Sequence, residues 1–510
     1  MNASKKWLAL LLIVCLSVLA ACSSNNSSSG GSSASSPSAG SQPSSGESGE
    51  AYELNVAFPI FGAVPSNMPE VEKAISDIAK EKIGATVKLT PISIGAWSQQ
   101  SNLMLTSNEK VDLIYVSGTS FTGMVSKGQL LALDDLLGEH GPDIVATFDP
   151  EFLKATAING KTYAVPSNKE MAVDYGLSIL KRYIDKYKID PTSIKTLDDL
   201  DGLFKTIKDG ESDLPAILVP QSAGISFLAS HRWFDPLGDS IGVLPDFGGG
   251  LTVANLYESS EYAAFVKKMR EWYQAGYIMK DSATNKDNGN ALILAGKGIA
   301  RLSNLKPGYE RQTSLEYQEP ATVISLTQAY ATTSSVASVN WGIPYSAKNP
   351  EKSMRFLNLM YGDTEIINLF DWGIEGKDYV KKSENIIAYP EGVDATTVAY
   401  NLNLGWMFGN QLKSYIFEGE DPDLWKKMAE YNANAVRSPA LGFSFDASPV
   451  KTEYAAVTNV INQYALPLET GSVDPDKILP EFIAKLKSSG IEKIIAEKQK
   501  QLDEWKRQNG

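Results

Sequence analysis

The chain has 510 residues, 43% of them apolar, which is enough for two to four domains with sizeable cores. A formal net charge of −13 at pH 7 argues against nucleic acid or anionic lipid as the main partner, since both need a basic face. The two cysteines, Cys15 and Cys22, both lie near the N-terminus, so the rest of the chain has no disulfide, no thiol nucleophile and no cysteine-ligated metal.

The N-terminal segment reads first. Lys5 and Lys6 precede an apolar run over residues 7–20. That run is shorter than the about 20 residues a spanning helix needs, and matches a signal peptide instead. Leu19-Ala20-Ala21-Cys22 resembles the lipobox of bacterial lipoproteins, in which the cysteine receives a diacylglyceryl group and acyl chains such as palmitate. Residues 1–21 are therefore expected to be a lipoprotein signal peptide, and Cys22 the lipidation site. Residues 22–50, rich in Ser and Gly, are expected to form a flexible tether with a reach of roughly 30 Å. Two acyl chains give a stable anchor where one is marginal. This predicts a body held on the extracellular face of a Gram-positive cell membrane.

In the body, residues 53–58 alternate apolar and polar, as a strand does. Val71, Ile75, Ile78 and Ala79 fall at helical spacing over 68–83, and Gly84 stops that helix. A strand over 86–92, a helix over 97–108 and a short apolar strand over 111–116 follow. Alternating strands and helices predict an α/β fold with a mostly parallel sheet. Beyond the turn and strand at 160–166, helices are expected at 177–187, 200–208, 262–275, 352–361, 424–435, 480–487 and 491–506. The last is rich in Lys and Glu and reads as a solvated surface helix.

Several catalytic patterns fail on inspection. Gly238-Asp239-Ser240-Ile241-Gly242 has hydrolase-elbow spacing, but a Pro interrupts the required strand, and His140 and His231 both precede the serine. Two distant histidines make no zinc site, residues 289–297 lack phosphate-loop spacing, and residues 281–290 lack calcium-loop spacing. No metal and no cofactor are expected. Carboxylate pairs such as Asp134/Asp135 and Asp198/Asp199 read as capping or surface groups. A glycosidase pair assembled by the fold stays open on the residues alone.

What remains is a set of tryptophans read as loop residues: Trp97, Trp233, Trp341, Trp372 and Trp406, with Asp235, Asn304, Asn340 and Asp371 beside or between them. Flat rings stack on the C–H faces of sugars, and neighbouring amides and carboxylates bond the hydroxyls. This chemistry points to an oligosaccharide cleft.

Three stretches then carry a resemblance: residues 110–136, from Lys110-Val111-Asp112-Leu113-Ile114-Tyr115 to Leu133-Asp134-Asp135-Leu136; residues 160–166; and Trp341-Gly342-Ile343-Pro344 with residues 349–357. They resemble the extracellular solute-binding proteins of bacterial ABC importers, the group of maltose-binding protein. Residues 372–379 and 438–445 are similar to a Gram-positive lipoprotein subgroup with a C-terminal domain of unassigned function. The resemblance implies a two-lobed, type II periplasmic-binding-protein-like fold, with a ligand cleft between lobes joined by a hinge. Its implied layout is lobe 1 over 51–165, lobe 2 over 166–321, a return to lobe 1 and hinge over 322–345, and completion of lobe 2 with a C-terminal helical region over 346–510. It implies a monomeric, non-enzymatic protein that delivers an oligosaccharide to permease subunits. A surface glycoside hydrolase or lyase, a receptor for another solute and a sensor subunit are the alternatives. By family position, Asn304, Ser117, Phe121 and Tyr163 join Trp97, Trp233, Asp235, Trp341, Asp371, Trp372 and Trp406 as expected ligand-binding residues.

Overall fold

The computed structural model describes residues 51–107, 109–222 and 224–509. The expected signal peptide, Cys22 and the tether lie outside the described residues.

The described residues build two large hydrophobic cores and a small third one, in which Phe443 and Leu502 meet Leu237 and Leu244. The first surrounds a five-stranded sheet in the order Ala85–Ser93, Tyr52–Ile60, Leu113–Ser117, Val339–Gly342, Val165–Pro166. The first three strands are parallel, and Val339–Gly342 runs antiparallel to both its neighbours. Helices cover the sheet, so the second half of Tyr52–Ile60 is buried on both faces. Met68–Ile83 forms the predicted helix, with Pro69 in its first turn and Gly84 closing it at φ 64°.

The second core surrounds Asp174–Leu180, flanked by Ala300–Leu305 and Ala321–Ser325, both antiparallel to it. The helix expected at 177–187 thus begins as strand, over residues 177–180, and is helical only over Lys181–Lys186. A short, fully buried apolar run suits either structure, and here Gly176 decides. A Cβ there would stand 2.1 Å from the Ile324 carbonyl oxygen, so the backbones pack closer than another residue allows.

The chain passes between the cores three times. Val173 pairs with Tyr330, and Tyr330 pairs with Val436, so the crossings lie side by side as a short ribbon. The boundaries differ from those expected. Helices Pro350–Gly362 and Thr364–Trp372 bury Phe356 and Phe370 in the first core, and Phe370 stacks on Phe408 at 4.3 Å and 12°. The chain therefore stays with the first lobe until residue 435, and residues 346–435 are no part of the second. Only the helices Lys451–Glu469, Pro475–Ser488 and Ile491–Asn509 complete the second lobe.

The last helix corrects a further expectation, because one face of it is buried. Lys498 is fully buried, with its ammonium 2.6 Å from Asp239 and 3.2 Å from the Gly242 carbonyl. Removing one partner of such a pair strands a buried charge. Asp239→Ala is expected to cost about 3–5 kcal/mol in chemical denaturation, whereas the double replacement Asp239→Leu with Lys498→Met, which removes both charges, is expected to be neutral or stabilising.

Candidate functional site

In sheets of this kind ligands gather at the carboxyl ends of parallel strands. That edge of the first sheet exposes Phe61 (57%), Val64 (53%) and Ile94, each just past a strand end. The Phe61 ring lies 5.8 Å from Trp406 at 52°, giving an aromatic pair on the surface of the first lobe.

The Trp406 loop is held from below. The buried Asp371 carboxylate accepts the Gly405 N–H at 2.9 Å and the Ser414 hydroxyl, and Ser414 in turn accepts the Trp372 indole N–H at 2.9 Å. Burial pushes the Asp371 carboxyl up to about 6, against those two hydrogen bonds. A Cβ at Gly405 would lie 2.4 Å from Asp371, so the loop approaches the carboxylate only with glycine there. On the other side, the Trp341 indole donates to the Met407 carbonyl at 2.7 Å. The loop preceding helix Met68–Ile83 is fixed too, by the Asn67 amide donating to the buried Asp378 at 2.7 and 2.8 Å.

Across the crossing ribbon, the second lobe contributes a cavity of about 460 Å³ lined by Glu170, Gln221, Asn290, Arg301, Asn304 and Lys306, among others. Its charges are paired. Lys169 and Lys306 lie 3.1 and 3.2 Å from Glu170, and Arg301 lies 2.9 Å from Glu316. Burial would raise the Glu170 carboxyl, but the two ammonium groups hold it at about 2. Among the described residues, Nε of Arg301, a residue 5% exposed, and Oδ1 of Asn290 find no protein partner there. Buried polar atoms are normally bonded, so a donor and an acceptor left over in a cavity mark a place for a ligand.

The segment over 224–233 is braced by Glu469. That buried carboxylate accepts the Tyr262 hydroxyl at 3.0 Å and the Ser226 hydroxyl. Burial pushes it up to about 7 from the ordinary 4.5, opposed by Ser226, Tyr262 and the nearby Arg232. The folded state then holds this proton more tightly than the unfolded chain. Stability is full below pH 4.5 and falls as pH rises to about 7. Glu469→Gln is expected to melt higher than the wild type at pH 8, by on the order of 3 kcal/mol, with the gap closing below pH 4.5.

The expected site residues divide. Trp406 and Asn304 stand on the two walls, and Ser117 precedes the helix Gly118–Ser126 at the sheet edge, its hydroxyl 2.9 Å from that of Ser120. Trp233 is half-buried against Phe234 and Phe265, and Trp372 against Phe417. Tyr163 lines a different groove. Trp97, Phe121, Trp341, Asp235 and Asp371 are buried and correct the expectation: they are core or positioning groups. Trp97 packs edge-on against Tyr115, and Asp235 accepts the Leu237 N–H at 2.8 Å. Sequence reasoning missed Phe61, Glu170, Asn290, Arg301 and Lys306. The available signals were Phe61-Gly62 just past a strand and Lys169-Glu170 just past Pro166. Among the described residues no group of three or more His, Cys, Asp and Glu side chains is placed to hold a metal ion.

The comparisons with known proteins agree with this architecture. A carbohydrate ABC transporter substrate-binding protein of Streptococcus pneumoniae is 29% identical over 451 residues, covering 87% of this chain and 89% of that protein. The crystal structure of an N-glycan transport solute binding protein from Streptococcus pneumoniae matches with a TM-score of 0.79 at 28% identity, over 89% of this chain and 98% of that one. Its complex with Man5GlcNAc matches at 0.68 and 27% identity, over 90% and 99%. Residues 439–507 match a domain of unknown function, DUF3502. Residues 65–366 match the model of the bacterial extracellular solute-binding proteins, and the chain belongs to that family.

Proposed function

We propose that the protein is a lipid-anchored extracellular receptor that captures a neutral oligosaccharide between its lobes and delivers it to the permease of an ABC importer. The observation that carries this reading is the pair of walls flanking a three-strand crossing. One presents the Phe61–Trp406 aromatic pair, and the other presents the unpartnered Arg301 and Asn290 atoms in a cavity. Rings take the apolar faces of sugars and the amide and guanidinium take their hydroxyls.

The ligand is taken as neutral because, of the residues lining the cavity, Lys306 and Arg301 each already face a carboxylate, Glu170 and Glu316. The receptor leaves its ligand intact. Glu170 is held ionised by two lysines and so cannot act as the raised-pKa acid that glycoside cleavage needs. The similar glycan transport proteins support the ligand class. No described helix is long and apolar enough to cross a membrane, and the reading assigns attachment to acylated Cys22. The protein acts as a monomer.

Titration calorimetry of residues 23–510 with neutral manno-oligosaccharides, oligouronates and peptides tests the reading. One-to-one binding of the neutral glycans, with no new product after long incubation, is expected. Binding only of uronates or peptides, or glycan cleavage, would contradict it.

A further inference from the structure

A groove of about 770 Å³ lies apart from the cavity at Glu170, and the two share no lining residue. One of its walls belongs to the first lobe, with Lys154, Asn159 and Tyr163; the other belongs to the C-terminal region, with Tyr454, Trp505 and Gln508. Both volumes fall in the roughly 300–1,000 Å³ range of small-ligand sites. We propose that this groove binds a second arm of a branched oligosaccharide, which makes residues 439–509 part of the recognition surface. The proposal rests on the oligosaccharide reading above.

Three observations support it. The lining combines half-buried aromatic rings, Tyr163, Tyr454 and Trp505, with exposed polar side chains, Asn159, Lys154 and Gln508. That is the pairing sugar recognition needs: flat apolar faces beside hydrogen-bonding groups. The rings are also fixed. Trp505 packs edge-on against Phe443 at 6.2 Å, next to Gly442, whose φ of 100° is a conformation that glycine adopts freely. Asn159, at φ 51° in the turn between Ala157–Ile158 and Lys161–Thr162, stands at the tip of a hairpin on the opposite wall.

The helix Gly118–Ser126 joins the groove to the first wall of the cleft. Its first turn starts at the carboxyl edge of the sheet, and Thr122, Gly123, Val125 and Ser126 line the groove. Nine residues of helix extend about 13 Å, a distance one branched glycan spans. Because the two walls belong to different lobes, an arm bound here also stabilises one relative position of the lobes.

The test compares a small and a branched ligand, Man1GlcNAc and Man5GlcNAc, by titration calorimetry on residues 23–510. Two variants are used: Trp505→Ala, and Gln508→Cys carrying a bulky maleimide. The label attaches at one place, since residues 23–510 contain no other cysteine, and it blocks the groove from an exposed position that folding does not need. Both variants are expected to lose at least about tenfold in affinity for the branched glycan and to stay within about twofold for the small one. Equal losses for both glycans, or no loss for either, would overturn the proposal. Binding of neither glycan by the wild type would contradict the receptor reading itself, and Trp406→Ala would then have nothing to weaken.

Discussion

Trp341→Ala is expected to destabilise the protein by about 3–5 kcal/mol, the largest effect of any single tryptophan substitution at the site. The ring is fully buried in the strand Val339–Gly342, tilted 32° against Phe408 at 5.8 Å. Its indole N–H donates to the Met407 carbonyl at 2.7 Å. That carbonyl also accepts the Ser167 hydroxyl at 2.7 Å, so deletion of the ring does not strand it, and the cost is dominated by the cavity left behind. Met407 adjoins Trp406, so some ligand affinity is lost as well. Thermal and urea unfolding read the effect. An unchanged midpoint would remove Trp341 from the core.

Trp406→Ala is expected to do the reverse. Its ring is half-buried on Phe61, while the backbone around it is held independently by Asp371 at Gly405 and by Trp341 at Met407. Truncation removes a platform without releasing the loop. Losing the stacking area is expected to cost about 1.5–3 kcal/mol of binding, or roughly 10- to 100-fold in Kd, with under about 1 kcal/mol of stability. Trp406→Phe, which keeps a flat face, is expected to recover most of the affinity. Calorimetric titration with a neutral glycan and a melting curve on the same samples separate the two effects. Full affinity in Trp406→Ala, or loss of affinity only through unfolding, would move the site away from this wall.

The contrast between these two rings shows where the sequence could and could not be read. Periodicity located Met68–Ile83 and its Gly84 stop, because a local pattern and a local terminator suffice for an amphipathic helix. The same reasoning put Trp341 and Trp406 in one class, since each follows a small or polar residue. Their difference is long-range: strand pairing with Tyr115 and Val165 buries the first, and the Asp371–Gly405 bond lifts the loop of the second. Asp371 stood out in sequence for being next to Trp372, but its work is to hold Gly405. The lobe that owns Pro350–Gly362 was illegible for a related reason, since Phe356 and Phe370 suit either core until Phe408 arrives from a distant segment. Glu170 and Arg301 carried no local motif at all. They matter because the crossing ribbon brings residues 169–170 and 301–306 to one cavity.

The most direct test of the central claim, a ligand held between two lobes that rotate about the 173–330–436 ribbon, is small-angle X-ray scattering of residues 23–510 with and without saturating Man5GlcNAc. The account predicts a smaller radius of gyration and a shorter maximum dimension with the glycan, both reversed on its removal. Calorimetric saturation with an unchanged scattering profile would contradict it, and would place the glycan on one lobe alone.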